Sequence, residues 1–304
     1  MNKNDYPERP HIEKVWEDFD FRVLMCGMGD DTAMLIAELY VRGLEPDELV
    51  FCDTGSEFPH TYEFIQFLKK WTIEKKWSKV VVLKKLDKFK KPLSVISLCK
   101  DQSTLPNAAF GEKTCSLRFK TETADLYFNN HKRCWRAWGV RKKGVRTAMH
   151  TGKILRMVGI NADEPRRVAS WKNQPKWTQV FPLFDWGVGE RESENVEKIG
   201  LYYPAKSSCT ICPNMTHPEI AMLRDEYPKL YQQALDIELA YQKKFLVDSG
   251  SVDLFGKKIY ENTVMGLGGV KGKTWGQMMR EYDDEPRRYK RMSANHVMCS
   301  DCGH

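Results

Sequence analysis

Three short apolar runs, "FRVLMC" from Phe21, "ELVFC" from Glu48 and "KVVVL" from Lys79, alternate with two longer amphipathic stretches. Continuous apolar runs without polar alternation read as strands buried on both faces, and such strands belong to parallel sheets. The intervening "TAMLIAELYVRG" reads as a helix closed by Gly43. "PHTYEFIQFLKKWTIEKK" reads as a second helix, with Pro59 in its first turn and Phe64, Phe67, Leu68 and Trp71 on one face. Strand and helix alternating at this spacing predict βαβ units and an α/β fold, a parallel sheet with helices on both faces.

The pattern weakens between Pro92 and Asp125, where "KDQSTLPNAAFGEKTCS" reads as a long functional loop. "KILRMVGIN" restores a strand, and "VFPLFDWG" reads as a further short extended piece. Beyond Asn195 the character changes. "HPEIAMLRDEYPKLYQQALDIELAYQKKFL" has helical periodicity, and the Gly-rich "MGLGGVKGKTWGQMM" leads into a basic tail. The expected organisation is a nucleotide-binding domain over 18–194 and a helical appendage over 195–304 carrying a cysteine metal site. No window approaches a membrane span and no apolar signal segment opens the chain, so a cytoplasmic location and no membrane partner are expected.

The turn "CGMGDDT", Cys26 to Thr32, follows the first strand and opens the first helix. Such a turn offers backbone N–H groups and a helix N-terminus to a phosphate. It has neither the G-x-G-x-x-G dinucleotide fingerprint nor the G-x-x-x-x-G-K-S/T of Walker-type loops. Asp30 and Asp31 cannot hold phosphate without an intervening cation, which points to Mg²⁺; capping of the helix by Asp30 is the plainer alternative.

Nine cysteines in a chain expected in a reducing compartment are unlike a disulfide framework. Cys209 with Cys212, and Cys299 with Cys302, are two Cys-x-x-Cys pairs, each able to present both sulfurs to one metal. Four thiolates suit Zn²⁺ or an iron–sulfur cluster, while the long separation of the pairs is unlike a compact zinc ribbon. Cys26 and Cys52 end predicted strands and read as small buried hydrophobes. Cys134 lies among Lys132, Arg133 and Arg136, where neighbouring cations would lower a thiol's pKa; an ordinary core or surface cysteine is the alternative.

Gly27 to Thr32 resembles the S-G-G-x-D-S/T pyrophosphate loop of the PP-loop (adenine nucleotide alpha-hydrolase-like) superfamily. Gly29, Asp31 and Thr32 match, Gly27 replaces Ser and Met28 replaces Gly. "FCDTGSEFPHTYEFI" resembles the Asp-Thr-Gly segment of 3′-phosphoadenylylsulfate (PAPS) reductase-like proteins. "KTCSLRFK" resembles their C-S/T-x-x-x-K element through Cys115, Ser116 and Lys120. "VGINADEPRR" resembles G-I-R-A-D-E-x-x-R with Asn161 in place of Arg, and "SSCTICPNM" resembles the S-x-C-x-x-C-P element of a subgroup found on phages and mobile elements. The resemblance implies a Rossmann-like parallel sheet with an adenine nucleotide, ATP with Mg²⁺, over its carboxyl edge. Gly27, Gly29, Asp30, Asp31 and Thr32 would then face phosphate or metal, Asp53 and Thr54 ribose or base, and Lys120, Arg166 and Arg167 the ligand's charge. It also implies a 4Fe–4S cluster on Cys115, Cys209 and Cys212, with a fourth ligand from Cys299, Cys302 or an exogenous sulfur; zinc is the alternative. The terminal "SDCGH" resembles the E-C-G-x-H end of sulfonucleotide reductases, which would make Cys302 a nucleophile.

"HKRCWRAWGVRKKGVR", spanning Lys132 to Arg146, mixes cations with Trp135 and Trp138 and suits a nucleic-acid strand. A solvated basic face is the competing explanation. The net charge of +7 permits a polyanionic partner without requiring one. Three functions follow: a PP-loop enzyme that uses Asp31 and Mg²⁺ to activate an oxygen for sulfur transfer, fed by a cysteine desulfurase; a thioredoxin-coupled PAPS reductase acting through Cys302; or a non-catalytic nucleic-acid-binding protein on a decayed nucleotide fold.

Overall fold

The computed structural model describes residues 11–106, 115–137, 154–171, 176–248, 266–268 and 273–289. Five parallel strands, β1 (Phe21–Met25), β2 (Glu48–Asp53), β3 (Lys79–Lys84), β4 (Ile154–Val158) and β5 (Thr178–Val180), form one sheet in the order β3-β2-β1-β4-β5. The chain is thus a Rossmann-like α/β protein, with the parallel sheet its strand runs predict.

Strand residues alternate between two cores because successive side chains point to opposite faces. Leu24, Leu49, Phe51, Leu155 and Met157 pack with α2 (Asp30–Val41), α3 (Pro59–Glu74) and α9 (Asn195–Lys198). Val23, Met25, Val50, Cys52 and Val158 pack with α5 (Glu122–Asn130), α6 (Lys132–Ala137) and α7 (Pro165–Ser170). Of the α3 face, Phe64, Leu68 and Trp71 are buried and Phe67 is partly so; each fully buried side chain contributes about 1.5–3 kcal/mol. Gly43, at φ +68°, ends α2 in the left-handed conformation that glycine adopts without a Cβ penalty. Trp71 Nε1 donates to the Ile199 carbonyl at 3.0 Å, tying α3 to the end of α9.

A third core is separate from the sheet. α10 (His217–Glu226), α11 (Pro228–Asp248) and α12 (Trp275–Asp284) pack with α4 (Val95–Gln102), Phe58 and Phe119. The continuous helical period expected after His217 is broken at Tyr227, since a residue preceding proline is disfavoured in the α conformation. Val196, Ile199 and Leu201 belong to the sheet's core, so the chain passes into the third core only after Leu201.

Two segments differ from their sequence reading. "VFPLFDWG" is extended only through Val180; Pro182 then opens a short helix, α8 (Pro182–Trp186), that Gly187 closes at φ +73°. Within the expected loop, Ser94 caps α4 reciprocally with Ser97, and a π-helical turn spans Ser116–Thr121. No helix among the described residues is long and apolar enough to cross a membrane.

Candidate functional site

The strand order makes the chain leave β1 toward β2 and leave β4 toward β5. The loops at their carboxyl ends therefore diverge and open a crevice, the usual ligand position in open α/β sheets. A cavity of about 170 Å³ lies there. Its walls come from the loop after β1, the end of β2, Gly159 after β4, Lys120, Arg167 and the Lys206–Ser208 segment. The two loops touch: a Cβ at Gly159 would stand 3.0 Å from Asp31 Cβ and from the Asp31 carbonyl oxygen. A side chain at position 159 would push the two loops apart by a few tenths of an ångström.

The β1 loop curls over the start of α2. Thr32 Oγ1 accepts from the backbone N–H groups of Gly27 and Met28, both at 3.0 Å, and Thr32 N–H donates to the Gly29 carbonyl at 3.0 Å. Met28 sits at φ +62°, where a side chain costs about 1–2 kcal/mol, and its buried thioether anchors it in the sheet's core. No side chain caps α2, and the N–H groups of Asp30 and Asp31 precede the helix's own bonding, which begins where Thr32 and Ala33 donate to the Gly29 carbonyl. N–H groups in that position favour a bound anion.

Charge at this helix end is concentrated and incompletely paired. Arg191 Nε donates to Asp30 Oδ2 at 2.5 Å, with its guanidinium 5.6 Å from the Tyr203 ring centroid. Asp30 Oδ1 is buried without a partner. Asn161 Nδ2 donates to Asp31 Oδ1 at 3.1 Å. Burial nevertheless pushes the Asp31 carboxyl up to about 7; the Asn161 bond opposes the rise and Glu164 adds to it. Glu164 pairs with Arg167, yet Glu164 Oε1 and Arg167 Nε are also buried without partners. Each such atom forgoes about 1–3 kcal/mol that a bound ion or ligand could return.

A second segment delivers sulfur to the rim. Phe58 N–H donates to the Ser208 carbonyl at 3.1 Å and Thr210 N–H to the Ser56 carbonyl at 2.8 Å, an antiparallel bridge that sets Cys209 opposite Glu57. Cys212 N–H donates to the Cys209 carbonyl at 2.9 Å, closing the Cys-x-x-Cys knuckle, and Cys212 lines the cavity. Cys115 heads the π-helical turn that carries Lys120 into the cavity, and such turns recur at functional sites. Cys115, Cys209 and Cys212 pack against the same third core. Burial pushes the Cys209 thiol far above its ordinary value, and Glu57, Cys115 and Cys99 add to the rise. Burial followed by Cys115 pushes Cys99 up to about 12. Among the described residues no three His, Cys, Asp or Glu side chains are arranged to hold a metal ion.

Of the residues picked out in the sequence, Gly27, Gly29, Asp30, Asp31, Thr32, Lys120, Arg167 and Cys212 line the cavity. Asp53 and Thr54 do not. Asp53 accepts from Gly55 N–H at 2.7 Å and from the Tyr62 hydroxyl at 3.0 Å, and pairs with Lys84; the Thr54 hydroxyl donates to Glu57 at 2.6 Å. Both shape the turn after β2. Arg166 is exposed while Arg167 turns inward. Cys134 is buried, and burial pushes its thiol up to about 12, so the cations beside it in sequence do not activate it. Cys299 and Cys302 lie outside the described residues, as do Trp138 to Arg146 of the basic stretch. Its described start lies at the opposite, amino edge of the sheet, where Arg133 pairs with Asp47 at 2.7 Å.

Several cavity residues had no separate signal in the sequence: Glu57, Lys206, Ser207, Asn214 and Glu219 line it, and Arg191 reaches Asp30 beside it. Cys26 and Cys52, read as plain hydrophobes, line it as well. No family model matches this chain, and a search of the curated proteins finds no matching relative. Fold and crevice together define a Rossmann-like α/β protein with a cavity at its topological switch point.

Proposed function

We propose that the crevice binds ATP with Mg²⁺ and that the chain is a PP-loop, PAPS reductase-like enzyme that transfers sulfur to a nucleotide or nucleic acid. The observation that carries this reading is the meeting, in one cavity, of the uncapped α2 N-terminus and the Cys209–Cys212 knuckle. In this reading the N–H groups of the first α2 turn hold the polyphosphate. Asp30 and Asp31 would hold Mg²⁺, which would supply positive charge against the polyphosphate. Lys120, Arg167 and Lys206 face the developing charge of pyrophosphate.

The substrate oxygen attacks the α-phosphorus and pyrophosphate departs, leaving that oxygen as an adenylate. The terminal sulfur of a persulfide donor then attacks the carbon and AMP leaves with the oxygen; a second thiol of the donor cleaves the resulting S–S bond, so that the thio-product departs and the donor is left as a disulfide. Thiols are the donor chemistry a soft metal centre needs, and Cys115, Cys209 and Cys212, with Cys299 or Cys302 as a fourth, would hold a 4Fe–4S cluster or Zn²⁺. When bound, a cluster supplies Lewis-acidic iron able to take a sulfur ligand.

Photolabelling of the full chain with 8-azido-ATP, with and without Mg²⁺, tests the reading. Labelled peptides from the cavity segments, protected by excess ATP, are expected. Labelling that ATP does not protect would overturn it. Iron, sulfide and zinc assay of anaerobically purified protein decides the metal. Truncation after Met298 separates the alternative PAPS reductase, whose turnover would vanish, from the ATP-dependent enzyme, whose nucleotide binding would persist.

A further inference from the structure

The segment joining β3 to α4, "KKLDKFKKPL" from Lys84 to Leu93, is a rigid hairpin rising from the edge strand at the carboxyl end of the sheet. Asp87 N–H donates to the Lys91 carbonyl at 2.9 Å, Lys90 N–H to the Asp87 carbonyl at 3.0 Å, and Leu93 N–H to the Lys85 carbonyl at 2.8 Å. The Asp87 carboxylate is turned into the loop, where it accepts from Phe89 N–H and Lys91 N–H, both at 2.8 Å. The hairpin's one acid is therefore consumed in shaping it. Lys84 pairs with Asp53 at 3.2 Å and Lys85 with Glu122 at 2.7 Å. Lys88, Lys90 and Lys91 are exposed and have no carboxylate partner among the described residues.

Two features go against folding economy. Phe89 at the tip is 70% exposed, with the Lys88 ammonium 5.0 Å from its ring centroid. Lys90 sits at φ +63°, the position in such a turn that favours glycine. An exposed aromatic ring among unpaired cations, on a backbone fixed by its own hydrogen bonds, has the components that recognise a single strand: cations for phosphates and a ring for a base. Through Lys85 and Glu122 the hairpin is joined to the turn that carries exposed Arg118 and, two residues on, Lys120 of the cavity. A linear polyanion can follow that track, whereas a flat bilayer could not enter it.

We propose that the hairpin Lys84–Leu93 is a docking surface for single-stranded nucleic acid, placed to lead the strand toward the crevice. That the strand is also the substrate rests on the reading above; its binding does not, and is tested without ATP.

Anisotropy of a fluorescein-labelled 20-mer RNA and its DNA counterpart, titrated with the full chain between 50 and 200 mM salt, reads the proposal directly. Replacing the three lysines together (K88Q, K90G, K91Q) should flatten the slope of log K against log salt by about 2, since each phosphate contact on a single strand contributes roughly 0.7. Phe89→Ala should weaken binding about tenfold at unchanged slope. Lys90→Gly alone should weaken the oligonucleotide while raising the melting temperature by about 2 °C, a pairing that structural damage cannot produce. Oligonucleotide binding unaffected by the triple replacement would overturn the proposal. So would co-sedimentation with phosphatidylserine vesicles without any oligonucleotide binding. If 8-azido-ATP labelling fails while the oligonucleotide still binds through these residues, the docking surface stands and the nucleotide reading falls.

Discussion

The carboxylates at the amino end of the sheet and those around the cavity at its carboxyl end, Asp53 at the end of β2 aside, are partnered differently. At the amino end, Glu48 accepts from Lys79 at 2.8 Å and from the Tyr127 hydroxyl at 2.6 Å, and Asp47 accepts from Arg22 N–H and pairs with Arg133, each at 2.7 Å. All four oxygens are used. At the carboxyl end, Asp30 Oδ1 and Glu164 Oε1 are buried without partners beside a cavity, and burial holds Asp31 near 7. Charges that hold a fold together are closed within it; charges left open at a switch point are available to a ligand. The contrast locates the site without any knowledge of what binds there.

The largest expected effect breaks the closed end. Glu48→Leu removes the acceptor of the half-buried Tyr127 hydroxyl, while the exposed Lys79 ammonium stays hydrated, and should lower unfolding free energy by about 2–3 kcal/mol in urea titration with ATP affinity unchanged. A loss of ATP binding comparable to that from a crevice substitution would erase the distinction between the ends.

At the open end, Met28→Gly relieves a left-handed backbone but empties a buried site. Relief of about 1–2 kcal/mol against a loss of about 2–5 kcal/mol leaves a net destabilisation of about 2 kcal/mol by thermal or urea melting. A stabilised Met28→Gly variant would mean that the thioether is not the anchor.

Asp31 supplies a pH-dependent effect, smaller than these within any one pH unit. Its folded pKa, about 7, is above the 3.8 of a free carboxyl, so between those values the folded chain holds a proton that the unfolded chain has released. Stability from this group is present below about pH 4 and is lost as pH rises toward 7, by at most about 1.4 kcal/mol per unit. Urea midpoints measured from pH 5 to 8 should show that decline, and Asp31→Asn should flatten it. An unchanged slope in Asp31→Asn would assign the decline to another group.

How much of this was legible in the sequence depended on the range of the interaction. β1, β2 and β4 were legible because burial on both faces leaves unbroken apolar runs, and α3 because Phe64, Leu68 and Trp71 repeat at helical spacing. α8 was missed although Pro182 and Gly187 bracket it, because its apolar residues mimic a strand. The loop after β1, Lys120, Arg167 and Cys212, which line the cavity, were picked out through the motifs that carry the family resemblance. Glu57 and Ser207 were not, since their place in the cavity is created by the bridge between Glu57 and Cys209, far apart in the chain. Arg191 was equally silent, as nothing near it in sequence announces Asp30. The strongest basic run drew attention to Lys132–Arg146, while the shorter hairpin run, with its acid folded inward, stands at the same sheet end as the crevice.

Titration calorimetry of the full chain with ATP, in the presence and absence of Mg²⁺, addresses the crevice most directly. Binding that requires Mg²⁺, and that Asp31→Asn weakens by at least about tenfold (about 1.4 kcal/mol) while Glu48→Leu leaves it intact, is the predicted result. Heat of binding that is absent with Mg²⁺, or that persists undiminished in Asp31→Asn, would contradict the account.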